Sequence, residues 1–363
     1  MEPEWRMTSR RARMPPGSST SSVVTWKTGP LYAMREDRTR ACAGFWDFAM
    51  TAILRYAARM ARKPAKQKQT VAVVGAGRLA SFIAPALADA GYTIREIIAR
   101  ARPQSLQRAR ALARKVDARA VTVENAALDA GLVWFCVPDG EVCRAAAALA
   151  GRAKAVIATR GSSGMRFALH SSGVLVGREL EPLRKMGVAV ASAHPLMTFV
   201  AGARPSLAGV PFALEGDIGA TELARRIVRD LGGESFLLAA RRKAAYHAWA
   251  TMSSPLLLTY LVTLEEVARE AGLKREDARR MSLPIICQTL ENFRTLGPER
   301  SFSGPLIRGD AETVTRHLAL LKKHPRMQAV YVALAQVALA RLPVKNGKQL
   351  RRLLDDRARL ESS

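Results

Sequence analysis

Thr70-Val71-Ala72-Val73-Val74-Gly75-Ala76-Gly77-Arg78-Leu79-Ala80 is the stretch on which the fold turns. A β-rich apolar run reaches two closely spaced glycines, and the residues after them open an amphipathic stretch that continues to Ala90. Strand, tight turn and helix form the context in which a spaced-glycine pattern becomes informative. Gly75 permits the turn, Gly77 lets backbone N–H groups approach a pyrophosphate, and Ala80 allows close helix–strand packing. Ala76, Arg78 and Leu79 complete the loop and the first helical turn, whose N-terminus favours an anion.

Outward from this point, strands alternate with helices. Thr93–Ala99 reads as a strand and Ser105–Lys115 as a helix. Leu132–Val137 is a continuous apolar strand, the kind buried on both faces of a parallel sheet. Phe167–His170, Val188–Ala193, Phe212–Leu214 and Ser235–Leu238 supply later strands. Between Lys154 and Met165 the pattern is ambiguous: Ala155–Ala158 suits a strand, and Gly161–Gly164 a loop. The alternation implies an α/β fold, a doubly wound Rossmann-like parallel sheet over residues 69–240.

After Arg241 the strand pattern stops. Lys243–Ala271 is a long helical stretch that Pro255 kinks or splits and Gly272 ends. Helical periodicity returns at Arg275–Leu296, Ala311–Lys322 and Arg326–Leu342. Residues 241–345 therefore read as an all-α C-terminal domain, followed by a basic tail, 346–363, expected to fray. Residues 1–68 form a basic extension without sustained periodicity and are expected to be disordered, unless translation begins at Met60.

The net charge of +26 falls only to +21 when residues 1–59 are set aside, so most of the excess belongs to the folded part. Those charges are spread along helical faces with no helix-turn-helix, zinc knuckle or aromatic RNA-binding strand, which argues against nucleic acid as the partner. No apolar run reaches the roughly 18 residues of a membrane helix, and Phe45–Tyr56 lacks the marks of a secretory signal. Cys42, Cys136, Cys143 and Cys287 form no CxxC pair and no zinc pattern, so reduced, buried thiols, a cytoplasmic location and no metal are expected.

The chemistry collects at strand ends. In this architecture ligands sit beyond the carboxyl ends of strands. The second strand closes with Arg100 rather than the acidic residue that meets ribose hydroxyls, and Ser105 follows; a cation and a hydroxyl suit a 2′-phosphate, so NADP(H) is expected. Val137-Pro138-Asp139 ends the apolar strand and should border the nicotinamide side. Ser171 and Ser172 follow one later strand, and His194 closes the next. A histidine there is placed as general acid/base, with hydroxyls to orient a substrate oxygen. Lys243 and His247 stand four apart on one helix face; similarity to two-domain reductases, in which the first long helix of the second domain faces the nicotinamide, implies a proton donor and a substrate anchor in this pair. Arg308 is a candidate carboxylate or phosphate clamp, Asn292 a candidate pocket residue, and Asp310 a helix N-cap.

The His194-Pro195-Leu196 turn resembles that of prephenate dehydrogenase, which implies that this histidine and a neighbouring serine meet a substrate hydroxyl. The chain is more similar to an uncharacterised family of Rossmann-like oxidoreductases with a helical C-terminal domain of unknown function. The marks are Gly75–Ala80, Val137–Asp139, His170–Gly173, His194–Phe199, Leu214–Asp217, Tyr246–Ala248 and Ser303–Asp310, and they span about residues 69–342. That resemblance implies a fold related to pyrroline-5-carboxylate reductase and 6-phosphogluconate dehydrogenase, and no substrate. The combined reading is an NADP(H)-dependent dehydrogenase or reductase acting on a small, anionic substrate between the domains. A non-catalytic NADP(H)-binding sensor is the alternative, since it would keep the glycine loop without needing His194 or His247. Leu256–Val262, apolar nearly all round, leads us to expect a homodimer joined through the helical domains.

Overall fold

The computed structural model describes residues 68–200, 202 and 206–361. The expected extension, the Met60 start and Cys42 lie outside the described residues. In chain order the elements of the sheet region are β1 (Val71–Val74), α1 (Arg78–Asp89), β2 (Ile94–Ala99), α2 (Pro103–Lys115), β3 (Arg119–Thr122), β4 (Leu132–Phe135) and α3 (Val142–Arg160). They continue with β5 (Phe167–His170), the short α4 (Glu181–Arg184), β6 (Ala189–Pro195), β7 (Pro211–Gly216), α5 (Ile218–Asp230) and β8 (Glu234–Leu237). Ala155–Ala158 lies within α3, so its strand-like composition is overridden by an alanine-rich helix that Gly161 ends at φ +77°.

Eight strands form one sheet in the order β3-β2-β1-β4-β5-β6-β7-β8. All pairs are parallel except β6 with β7. The chain crosses from β3 back to β4 beside β1, which makes a doubly wound sheet with its switch point between β1 and β4. Strand alternation then builds two cores. Val71, Val73, Leu132 and Trp134 face the side packed with Ile83, Leu87 and Ile227 from α1 and α5. Ala72, Val74, Val133 and Phe135 face the side packed with Ala146, Leu149 and Ala153 of α3.

Glu96 of β2 is fully buried between these layers. Its carboxylate accepts from Ala127 N at 3.1 Å, from Leu128 N at 3.4 Å and from Arg119 Nη2 at 2.8 Å. A buried carboxylate so bonded ties down the turn into β4, where Leu128 takes φ +55°.

Beyond the sheet come α6 (Lys243–Thr251), a π-helical turn at Met252–Leu256 around Pro255, α7 (Leu257–Glu270) and α8 (Arg275–Leu296). The π-turn re-satisfies the backbone that Pro255 interrupts, so the helix is offset rather than ended. Two four-residue helices follow, α9 (Pro298–Ser301) and α10 (Pro305–Arg308), then α11 (Ala311–Leu321), α12 (Pro325–Arg341) and α13 (Gly347–Glu361). Asp310 caps α11, accepting from Thr313 N at 3.0 Å. The tail expected to fray is instead α13: Leu350 and Leu354 are fully buried against Val314, Leu318 and Val332, because their spacing of four matches one helical face. In the α7–α8 hairpin only Glu265 and Ala278 are buried. Leu258, Met281, Ile285, Leu290 and Phe293 are all exposed there.

Candidate active site

Gly75 takes φ +104°, and a Cβ on it would meet the Cys136 carbonyl oxygen at 2.5 Å, so only glycine fits between β1 and the end of β4. Above Gly77, by contrast, the space is open. Gly77 is the N-cap of α1, so the first N–H groups of that helix face the open side. A cavity of about 430 Å³ lies there, lined by Gly75, Ala76 and Gly77 together with Arg100, Ser105, Val137 and Pro138. These residues fit a dinucleotide: a bare glycine turn for the pyrophosphate, and Arg100 with Ser105 at the end of β2. Arg78 and Leu79 begin α1, while Ala80 is buried under β1 as a packing residue. Asp139 is exposed and does not line this cavity. Arg108, Glu141 and Arg144 also line it, and sequence reading did not single them out.

A second cluster stands on the same edge of the sheet. Val74, Phe135, His170 and Ser192 are in register across β1, β4, β5 and β6. β6 runs three residues past that level, which lifts His194 above the edge. The reversed β7 and the following β8 then lead the chain back, and α6 enters against this edge.

Lys243, only 1% exposed, places Nζ 2.6 Å from Ser192 Oγ and 3.2 Å from the Ser172 carbonyl oxygen. Ser192 Oγ donates to that same carbonyl at 3.0 Å, so its oxygen is left to accept from the lysine. The turn carrying the carbonyl is held by His170. Its Nδ1 accepts from Ser172 N at 3.1 Å, which leaves Nε2 to donate to the Val176 carbonyl at 2.9 Å.

Ser172 Oγ accepts from Val174 N and Leu175 N, and Ser171 Oγ accepts from Trp134 Nε1 at 2.8 Å. Both serines expected to orient a substrate therefore bond inside the protein, and Ser172 is buried.

His194 does not point into the sheet. Its Nδ1 lies 2.8 Å from Tyr246 Oη, and its ring packs edge-on against His247 at 6.2 Å between centroids. Gly173 passes beneath both imidazoles: a Cβ there would meet His247 Cδ2 at 2.6 Å and His194 Nε2 at 2.9 Å. Tyr246 in turn contacts Phe236 and Trp249. Neither histidine lines the 430 Å³ cavity itself.

The electrostatics follow from burial. It pushes His194 down to about 4, assisted by the charges of Lys243 and His247, so the imidazole is neutral near pH 7. His170 is pushed to about 4 in the same way. Burial lowers Lys243 to about 8, against the opposing pull of Glu215 and Asp139, and raises Tyr246 to about 12. A lysine with two fixed acceptors and a titration near neutrality can hold or release one proton.

The two substrate candidates of the helical region are elsewhere. Asn292, on α8, accepts from Gln288 Nε2 at 2.8 Å, one turn away on the same helix. Arg308 is exposed at the end of α10, and neither residue lines the cavity. Lys243 is the cation that the helical region brings to this edge. Of the thiols read as buried, Cys136 is buried while Cys143 and Cys287 are exposed, and all three are free. Among the described residues no cluster of His, Cys, Asp or Glu is arranged to hold a metal, and no helix is long and apolar enough to cross a membrane.

The doubly wound sheet and its glycine turn define a Rossmann-like protein with a helical C-terminal part. The chain carries two recognised domains: residues 59–195 match the Rossmann-like domain, and residues 210–338 match a domain of unknown function, DUF2520. No curated protein matches the chain. Among solved structures, a proposed NADP oxidoreductase from Bacteroides fragilis is similar at 21% identity, covering 75% of this chain and 98% of its own, with TM-score 0.60. A protein from Thermotoga maritima is similar at 23% identity, covering 74% and 96%, with TM-score 0.57. An imine reductase from Myxococcus stipitatus in complex with NADP+ has 17% identity, coverage of 75% and 94%, and TM-score 0.51. At these identities the likeness is one of fold.

Proposed function

We propose that this chain is an NADP(H)-dependent oxidoreductase acting on a small substrate held between the sheet edge and α6. The observation that carries this reading is the convergence of two independent assemblies on one edge: the glycine turn with its cavity, and the Lys243–Ser192–His194–Tyr246 group. A binding module without chemistry has no need for a buried lysine and a neutral histidine beside the cofactor cavity. When bound, the nicotinamide would supply or accept the hydride. Gly75, Ala76 and Gly77 would hold the pyrophosphate, and Arg100 with Ser105 the 2′-phosphate.

His194 serves as the acid/base in this reading. Its Nε2 has no hydrogen-bond partner among the described residues, and the hydrogen bond between Nδ1 and Tyr246 Oη fixes the ring. Lys243, held by Ser192 and the Ser172 carbonyl, serves in this reading as a second proton carrier and as the cation that attracts an anionic substrate. With Arg308 and Asn292 elsewhere, the anionic character of the substrate rests on Lys243 alone. His247 packs against His194 and anchors the substrate side.

Calorimetry should find NADPH bound at least about tenfold tighter than NADH, a difference of about 1.4 kcal/mol. A carbonyl and imine screen with NADPH should then yield a substrate on which His194→Asn lowers turnover by about 10²–10⁴-fold with NADPH affinity intact. Full turnover by that variant would remove His194 as the acid/base, and a wild type that binds NADPH yet turns over no substrate in the screen would favour the non-catalytic binding module.

The same reading includes a homodimer. A two-helix hairpin with a single small apolar residue buried has no core of its own, and a second copy of the same hairpin would cover the apolar side that α7 and α8 leave exposed. Light scattering at micromolar concentration should give twice the chain mass, and a monomer would refute this.

A further inference from the structure

The wall of the cofactor cavity opposite β2 carries a carboxylate that the order of residues conceals. Glu141 precedes α3, 41 positions after Arg100, yet Oε1 of Glu141 lies 3.9 Å from Arg100 Nη1. Arg144, one turn into the same helix, holds the carboxylate from the other side: its Nε donates to Oε2 at 3.0 Å and its Nη2 to Oε1. Glu141 is half-buried and lines the cavity together with Arg100, Ser105 and Arg108.

In nucleotide sites of this fold a carboxylate beside the ribose accepts its hydroxyls, whereas a cation suits a 2′-phosphate. Here both charges face one cavity, from opposite walls. An anion bonded to the Arg100 guanidinium comes within the field of Glu141, because the two side chains are already in near contact. Arg144 tempers that field by neutralising the carboxylate and turning it along α3.

We propose that Glu141 is a specificity-determining residue for the nucleotide: it opposes the 2′-phosphate and narrows the preference for NADPH over NADH that Arg100 and Ser105 set. Arg144 is the positioning residue that limits this opposition. The inference rests on the cofactor assignment made above, and the measurement separates the two.

The test is calorimetric titration of NADPH and of NADH into the wild type, Glu141→Gln, Glu141→Asp and Arg144→Gln. The ratio of the two affinities is the readout, because effects on folding or on the common part of the nucleotide cancel in it. Glu141→Gln should raise the NADPH:NADH ratio by about three- to tenfold, the scale of one partly screened carboxylate acting on a phosphate several ångströms away. Glu141→Asp, which withdraws the charge by one methylene, should shift the ratio in the same direction by less. Arg144→Gln, which releases the carboxylate toward Arg100, should lower it. A Glu141→Gln protein whose ratio is unchanged or reduced, while the wild type still prefers NADPH, overturns this inference alone. A wild type that binds neither nucleotide overturns both the inference and the cofactor assignment.

Discussion

Lys243→Met tests the central claim about the site with no substrate in hand. The lysine is buried, and its environment lowers it from 10.5 to about 8. At about 1.36 kcal/mol per pH unit, holding the proton in the folded state near pH 7 destabilises the protein by about 3 kcal/mol relative to an unperturbed lysine. Methionine has a similar length and no charge, so that penalty disappears. Against this, Ser192 Oγ and the Ser172 carbonyl each lose a donor, about 1 kcal/mol apiece at most, since they remain bonded to each other. The variant should therefore be more stable than the wild type by about 1–2 kcal/mol in urea unfolding near neutral pH, while losing turnover. The sign of the pH dependence is equally definite. Between about 8 and 10.5 the unfolded chain binds the proton that the folded protein has released, so wild-type stability gains with rising pH relative to the variant. The advantage of Lys243→Met should shrink across that window and then reverse. A variant less stable than the wild type at pH 7, or a difference that ignores pH, would show that the lysine contributes to stability and is not held there at its expense.

Gly173→Ala places a methyl group at 2.6 Å from His247 and 2.9 Å from His194, so both rings must swing away; turnover should fall at least about 100-fold with NADPH affinity unchanged by calorimetry. Glu96→Ala leaves the Ala127 and Leu128 N–H groups unmet in the turn into β4, and should lower unfolding free energy by about 3 kcal/mol in denaturant titration. His170 and His194 are held neutral to about 4, so the unfolded chain takes up their protons first. Stability should decline as pH falls from about 6.5 to 4, by about 2–3 kcal/mol per histidine. Acid titration of His170→Asn should show a shallower decline.

The parts of this molecule that were legible in its sequence are those written by near neighbours. The glycine turn, the apolar β4 and the capped α11 each depend on residues within a few positions, and pattern alone places them. Short-range pattern misleads where composition is ambiguous. Ala155–Ala158 suits strand and helix equally, and only the continuity of α3 decides it. β3 is a four-residue edge strand that follows Asp117, at φ +50°, and its residues carry no alternation strong enough to announce it. The candidate site divides the same way. His194, His247 and Lys243 were visible as polar residues at element ends, and the structure brings them together. Ser192 stands out only as part of a polar strand end, since its bond to a lysine 51 positions away is not written locally, and Glu141 gives no signal because its partner lies across a crevice. Arg308 and Asn292 were read from residue type alone, which does not locate a helix in space.

The two recognised domains meet within the sheet and not beside it. The Rossmann-like match stops at residue 195 and the domain of unknown function starts at 210, yet β6 ends at Pro195 and bonds directly to β7, which starts at Pro211. The boundary between the two matched regions therefore falls inside the sheet. A fragment cut at the seam would expose the unpaired backbone of β6 as a new sheet edge, open to aggregation. Its complement would begin with two orphaned strands ahead of the helices. Strand pairing across the seam therefore makes the two matched regions one folding unit, and neither is expected to fold when expressed alone.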